Sequence, residues 1–169
     1  MLTKAQRLTA ETTKLSKDFT LYELIRSRTY PELVVFPSDG VIWHLTTFAN
    51  NVLQPLRDRY GRLDVNSGYR NLALNTAVGG EEKSVHMIMH NGVFLGCAAD
   101  IVPANMTAEN MAEHIFKNLP VPLEMKCMIL YRSKLVTRNP FIHVDTGVFR
   151  KGIQFLEKKR NNVYVQYRP

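Results

Sequence analysis

The chain has 169 residues, 45% of them hydrophobic, and a formal net charge of +7 from 22 Lys and Arg against 15 Asp and Glu. That length can bury one full core but would cramp two. Two cysteines, Cys97 and Cys127, are too few for a disulfide framework and stand in apolar runs, so they read as buried thiols of a reducing compartment. No stretch approaches a membrane span and the first residues lack the apolar core of a signal peptide, which implies synthesis in the cytoplasm. The basic surplus suits anionic polymers. No helix-turn-helix, RNA-binding or cold-shock motif accompanies it, so nucleic acid is not the expected partner.

Residues 1–17 are polar and read as an N-terminal segment ahead of one domain over 18–169. Thr20-Leu21-Tyr22-Glu23 matches a capping box, in which hydroxyl and carboxylate satisfy the first backbone donors of a short helix. From Ser38, the apolar positions Val41, Leu45, Phe48, Val52 and Leu56 follow helical spacing up to Tyr60, with Pro55 bending the last turns. Trp43 and His44 ride on this helix in packing or surface roles. Strands are expected over 63–66, 98–102, 125–131 and 141–145, a helix over 107–118 started by Thr107, a short basic helix over 151–160, and an edge strand over 163–167. Pro37, Pro103, Pro120 and Pro122 mark connections. Helices and strands in separate runs argue for an α+β fold, a small antiparallel sheet with helices packed on one side.

Two imidazoles and a carboxylate stand at or near short apolar runs: Ser84-Val85-His86, then Gly96-Cys97-Ala98-Ala99-Asp100, then Phe141-Ile142-His143-Val144-Asp145. Neutral imidazole and carboxylate bind Zn²⁺ without a thiolate, and three protein ligands leave the fourth position open for water. Alone, each histidine reads as a satisfied core residue; together the three residues read as a catalytic metal site.

Ser-x-His, Gly-x-Ala-x-Asp and a later apolar-apolar-His-Val resemble the zinc D-Ala-D-Ala carboxypeptidases and related peptidoglycan peptidases, whose fold the hedgehog signalling domain shares. The stretches 19–27 and 53–61 look like that family's first helix and the end of its long helix. Val65-Asn66-Ser67-Gly68-Tyr69-Arg70 is similar to the strand and loop before its first zinc ligand. The likeness runs from about Asp18 to His143 and is closest to short single-domain versions common in bacteriophages. It implies a hedgehog/DD-peptidase-like fold, one Zn²⁺ on His86, Asp100 and His143, and substrate contacts from Arg70 and Ser84. Arg70 reads equally well as ordering its own loop through backbone carbonyls, and Ser84 as stabilising a turn.

Two departures stand out. The family has two residues between the first His and the Gly, whereas residues 87–95 intervene here. Asn91-Gly92 between Met87-Ile88-Met89-His90 and Val93-Phe94-Leu95 is a type I′ hairpin signal, because both central residues need positive φ. Counting outward pairs His90 with Val93, Met89 with Phe94, Ile88 with Leu95, Met87 with Gly96 and His86 with Cys97. Such a hairpin flanks the cleft and returns the chain to where it left, with His90 solvated or facing substrate. Secondly, relatives carry a catalytic glutamate at the end of the strand before the last His, where this chain has Arg132; others carry an acid three residues before that His, where Pro140 stands. A guanidinium cannot accept a proton. Unless the loop 133–139 shifts the register, Asp145 is the nearest substitute base, ahead of Glu81 and Glu82.

The resemblance therefore implies a zinc-dependent peptidase cutting peptidoglycan stem peptides, as a D-Ala-D-Ala carboxypeptidase or an endolysin-type endopeptidase, weakened by loss of the glutamate. The alternative is a non-catalytic zinc-containing relative serving as a phage structural or wall-binding component. In either case a protein made in the cytoplasm reaches the wall through lysis, a separate export route or a virion.

Overall fold

The computed structural model describes residues 1–118, 122, 124–132, 140–149, 152–158 and 163–167. Pro120, the loop 133–139 and the basic residues Arg150, Lys151, Lys159, Arg160 and Arg168 lie outside them. The polar start of the chain is not featureless: α1 (Lys4–Thr12) opens on a capping box between Thr3 and Gln6 and buries Ala10. Its helical pattern is faint because most of that helix is exposed. The following turn buries Leu15 and Phe19 and leads to α2 (Leu21–Ile25), whose Thr20–Glu23 capping box forms as expected.

Helix 39–60 runs in three parts, α3 (Asp39–Phe48), a π turn (Ala49–Leu53) and α4 (Gln54–Tyr60). Val41, Leu45, Phe48, Val52 and Leu56 are all buried, as their spacing requires. A simple bend at Pro55 is replaced by the wider turn before it. Proline has no N–H and its ring crowds the carbonyl four residues back, which the i→i+5 pattern accommodates. Within this region Gln54 is buried and fully used. Its amide oxygen accepts from the Ser16 hydroxyl at 2.9 Å and the Asp18 N–H at 3.0 Å, and its nitrogen donates to Asp18 and Asp58. The turn between α1 and α2 is thereby tied to the long helix.

The sheet has the order β1 (Leu63–Ser67), β4 (Ala98–Pro103), β6 (Phe141–Asp145), β5 (Cys127–Tyr131), β7 (Gln154–Lys158), β8 (Tyr164–Gln166), with a separate hairpin of β2 (Met89–His90) and β3 (Val93–Phe94). Two expectations need correction. The sheet is mixed, since β5 and β7 run parallel. The basic helix over 151–160 is instead strand β7 over its described part. Gly152 takes φ +78°, and Phe155 and Glu157 are buried between half-buried Gln154, Leu156 and Lys158, an alternation of two that a helix would not give.

Strand register sorts the side chains. Ile101 pairs with Ile142 and Ile142 with Leu130, and all three belong to the core shared with α3, α4 and α6 (Ala108–Lys117). Asp100 opposite His143, and His143 opposite Ile129, take the other face. Thr107 caps α6 by accepting the Asn110 N–H at 3.1 Å. Cys97 and Cys127 are buried free thiols, and burial pushes the Cys97 thiol up to about 12.

The hairpin forms as Asn91-Gly92 predicts, with φ of +48° and +77°, pairing His90 with Val93 and Met89 with Phe94. Ile88 still bonds Leu95, but no ladder extends to Met87–Gly96 or His86–Cys97. Val85–Met87 close a 3₁₀ turn and Ile88 takes φ +64°, which swings the chain out of strand geometry. Phe94 stacks on His44 of α3 at 4.2 Å between ring centres, so the hairpin leans on the long helix.

Removing the buried amide with Gln54→Ala leaves the Ser16 hydroxyl and the Asp18 N–H without their acceptor. It should lower stability by about 2 kcal/mol in urea titration, with little change in the denaturant slope.

Candidate metal centre

The face of the sheet away from the helical core carries the site. Asp100 on β4 and His143 on the neighbouring β6 are direct cross-strand partners, and Asp145, two residues on, shares His143's face. His86 comes from the one-turn helix Val85–Met87. His86 Nε2 stands 3.4 Å from Asp100 Oδ1 and 3.3 Å from His143 Nδ1, and His143 Nδ1 stands 2.9 Å from Asp100 Oδ1. Ligands on a tetrahedral zinc stand roughly 3.3 Å from one another, so these atoms describe one face of such a tetrahedron. They are also a group of ligand-type side chains close enough to share one ion.

Each ligand is held from behind. His86 Nδ1 lies 2.7 Å from the Gly68 carbonyl oxygen; since a carbonyl only accepts, Nδ1 carries the proton and Nε2 presents its lone pair. On His143 the assignment is reversed. Its Nε2 lies 3.0 Å from Asp145 Oδ2, which leaves Nδ1 facing the other ligands. Arg70 fixes Asp100, donating from Nη2 to Oδ2 at 3.2 Å while its Nε donates to the Ser67 hydroxyl at 2.9 Å. The second carboxylate oxygen of Asp100 therefore faces the two histidines.

Electrostatics favour the metal-binding protonation states of His86 and Asp100 and oppose that of His143. Burial holds the His86 imidazole below its ordinary value and so neutral. Asp100 is pushed up by burial but more strongly down by the two imidazoles, and stays ionised. Burial also lowers His143, yet its hydrogen bonds to Asp100 and Asp145 win and raise it to about 9. A proton thus competes with zinc for His143 below about pH 9.

The remaining site residues fall in different places. Arg70, read as a substrate contact or as ordering its loop, is half-buried and tied to Asp100. Ser84 is half-buried at the start of the 3₁₀ turn, its carbonyl accepting the Met87 N–H. Asp145, read as a substitute base, has no exposed surface. Its Oδ2 faces His143 and its Oδ1 accepts the Gly147 N–H at 2.9 Å. Arg132 follows Tyr131, which is opposite Phe141 on the site face; the next residue points the other way, and Arg132 Nε donates to buried Glu157 at 2.9 Å. His90 sits outside the three-ligand group, 3.8 Å from exposed Glu82. Beside the centre opens a cleft of about 440 Å³, reached by Arg70 and Asp100 and by residues 26–29 after α2. None of the hairpin residues lines it. The part played by the Gly68 carbonyl and by residues 26–29 escaped the sequence reading, although Gly68, Arg26 and Ser27 lay inside the motifs that carried the resemblance.

Three nitrogen and oxygen donors on a strand-and-turn frame, each fixed by a further partner and placed beside a cleft, are the arrangement that a hydrolytic metal centre needs. A family profile described as Peptidase M15 matches residues 17–145. The chain belongs to the peptidase M15 family, a group of zinc peptidases. No curated protein and no solved structure matches the chain significantly.

Protein purified without added metal and then titrated should take up one Zn²⁺ per chain, measured by elemental analysis, and His86→Ala and His143→Ala should each abolish uptake. Because the proton on His143 must leave, uptake should release close to one proton at pH 7 and the apparent affinity should rise from pH 6 to 9, as calorimetry in buffers of different ionisation heat would show. Equal zinc in all three proteins would overturn the ligand assignment.

Proposed function

We propose that the protein is a zinc-dependent peptidase acting on the stem peptides of peptidoglycan, with His86, Asp100 and His143 as the metal ligands. The observation that carries this reading is the tetrahedral face formed by their three donor atoms next to an open cleft. Zinc held there would polarise a scissile carbonyl and lower the pKa of a bound water. The chain's own residues supply the rest. Gly68 and Asp145 set the tautomers of the two histidines, and Arg70 holds Asp100 in place and faces the cleft, where its fork can also meet substrate oxygen.

A proton acceptor is the weak point. Oδ2 of Asp100 is bound by Arg70 while Oδ1 faces the histidines, and both oxygens of Asp145 are engaged. The segment 133–139, Ser-Lys-Leu-Val-Thr-Arg-Asn, contains no acid or histidine, so no shift there supplies one. Asp145 is then a positioning carboxylate for His143, and proton removal falls to solvent. A positioned general base typically contributes ~10²–10⁴-fold, so the rate should be low by about that factor. The same observation favours the second reading, a phage structural or wall-binding component that keeps its metal without turning over substrate. Acting as a lysis enzyme or within a virion would bring either form to the wall.

Hydrolysis of purified peptidoglycan or of a D-Ala-D-Ala peptide should be slow, stopped by chelator and restored by zinc. Asp145→Asn separates its two roles: as a positioning residue it should weaken zinc binding about 10–100-fold and regain activity at saturating zinc, whereas loss of a base would not be rescued. Absence of cleavage in the zinc-loaded wild type would leave the binding reading.

Arg132→Glu should not raise the rate. The new carboxylate would face buried Glu157 instead of the metal, and we expect stability to fall by roughly 1–3 kcal/mol in urea titration, the loss being tempered by the partial exposure of Arg132. Faster cleavage in this variant would show that position 132 reaches the site.

A further inference from the structure

We infer that Arg26 and Arg28 form a carboxylate-recognition subsite, so that the protein selects peptides bearing a free carboxylate at the end of the cleft away from the metal centre. This rests on the peptidase reading above and adds to it the chemistry of the substrate. The cleft of about 440 Å³ is lined by Asp100 and Arg70 and also by Arg26, Arg28, Asn66 and Ser67; Arg26 reaches the Val65 carbonyl, two residues back along β1 from Ser67, the partner of Asp100. The three guanidinium groups among the cleft's described lining residues differ in what they face. Arg70 is already matched, by Asp100 at 3.2 Å. Among the described residues, Arg26 makes one hydrogen bond, from Nη2 to the Val65 carbonyl at 3.3 Å, and neither it nor Arg28 has a carboxylate within salt-bridge distance.

That bond orients Arg26 without neutralising it. The carbonyl is an uncharged acceptor, and most of the donor fork is left over. Arg26 is half-buried, so its charge is less screened than that of an exposed side chain, and Arg28 two residues later stands at the open rim. Their backbone is fixed by the end of α2, where the Arg26 N–H donates to the Tyr22 carbonyl at 3.0 Å, and by the Tyr69 N–H donating to the Leu24 carbonyl. Among the described residues that line the cleft, the one carboxylate is Asp100, already paired with Arg70, which leaves the charge of Arg26 and Arg28 uncompensated there. A guanidinium fork binds a planar carboxylate with two charge-assisted hydrogen bonds, and an amide in the same place offers a single neutral acceptor.

A stem peptide can present that carboxylate in two ways, at its C-terminus or on an internal acidic residue. The first would make the protein an exopeptidase that reads the chain end; the second would place the cut within a longer peptide. The shared chemistry is the same, and one set of ligands distinguishes them.

The test uses zinc-loaded full-length protein and a fluorescently labelled D-Ala-D-Ala stem peptide in four forms, with the C-terminal and the internal glutamate carboxylates each present as acid or amide. Anisotropy before turnover gives affinity, and mass spectrometry of the same samples gives cleavage. Replacing the recognised carboxylate by amide should weaken wild-type binding about ten-fold or more, and Arg26→Gln/Arg28→Gln should bind acid and amide alike with unchanged zinc content. Arg28→Gln alone, at the exposed position, should lose part of the discrimination and covers the case in which the double variant folds poorly. Discrimination that persists in folded variants, or none in wild type, would overturn the subsite. Carboxylate-dependent binding without cleavage would instead remove the peptidase reading and leave the subsite standing.

Discussion

The pairing of β4 with β6 is the constraint on which the site depends. It sets Asp100 beside His143 on the face of the sheet that does not pack on the helices, while Ile101 and Ile142, one position along, enter the core. A slip of one residue would carry the carboxylate into the core and an isoleucine into the site, so hydrophobic burial on one face enforces metal-ligand geometry on the other. Burying charge is costly, and the arrangement offsets the cost by leaving none of the three ligands alone. The Gly68 carbonyl, Arg70 and Asp145 each meet one ligand from outside the centre, so the donor atoms are held close together by groups that do not themselves bind metal.

Two glycines make the third ligand possible. A Cβ on Gly68 would stand 2.3 Å from the Leu24 carbonyl oxygen, and that close approach to the end of α2 is what aims the Gly68 carbonyl at His86. Gly96, at φ +110°, would bring a Cβ within 2.8 Å of the Thr146 carbonyl oxygen and 2.9 Å of Gly147. It lets the chain leave the hairpin and enter β4 tightly against the end of β6. The inserted residues 87–95 are thus absorbed between a turn that holds His86 and a glycine that restores the path to Asp100. The hairpin braces on His44 instead of reaching into the cleft, so the insertion spares the metal centre.

Much of this was legible in the chain because the signals were local. The capping box at Thr20, the spacing from Val41 to Leu56, Asn91-Gly92 and the alternation around Asp100 and His143 each name their own structure over a few residues. What escaped depended on partners far away in sequence. Helix α1 is mostly exposed and shows little periodicity. Strand β7 is charged enough to resemble a helix, and only its place beside β5 explains why Glu157 is buried. The π turn follows from Pro55, but a proline predicts disturbance without saying which kind. At the site the ligand types were readable, whereas their second partners were not: a glycine carbonyl leaves no trace in residue type, and Asp145 has the same sequence signature whether it accepts a proton from water or steadies an imidazole.

Strand parity also changes the meaning of Arg132. Read along the chain, it stands where relatives keep their base, as though one functional group had replaced another in the same place. In the structure Tyr131 is the residue on the site face, stacked on Phe141 with ring centres 4.4 Å apart, and Arg132 belongs to the opposite face through its pair with Glu157. The arginine therefore answers a structural demand, a buried carboxylate on β7 that needs a cation, and its chemistry says nothing against the metal centre. The candidate donor set and the groups that orient it are in place, and both carboxylates at the centre, Asp100 and Asp145, are already engaged. Any hydrolysis it performs must then draw on the metal, on orientation and on solvent, so substrate placement in the cleft carries more of the rate than it would where a base is at hand.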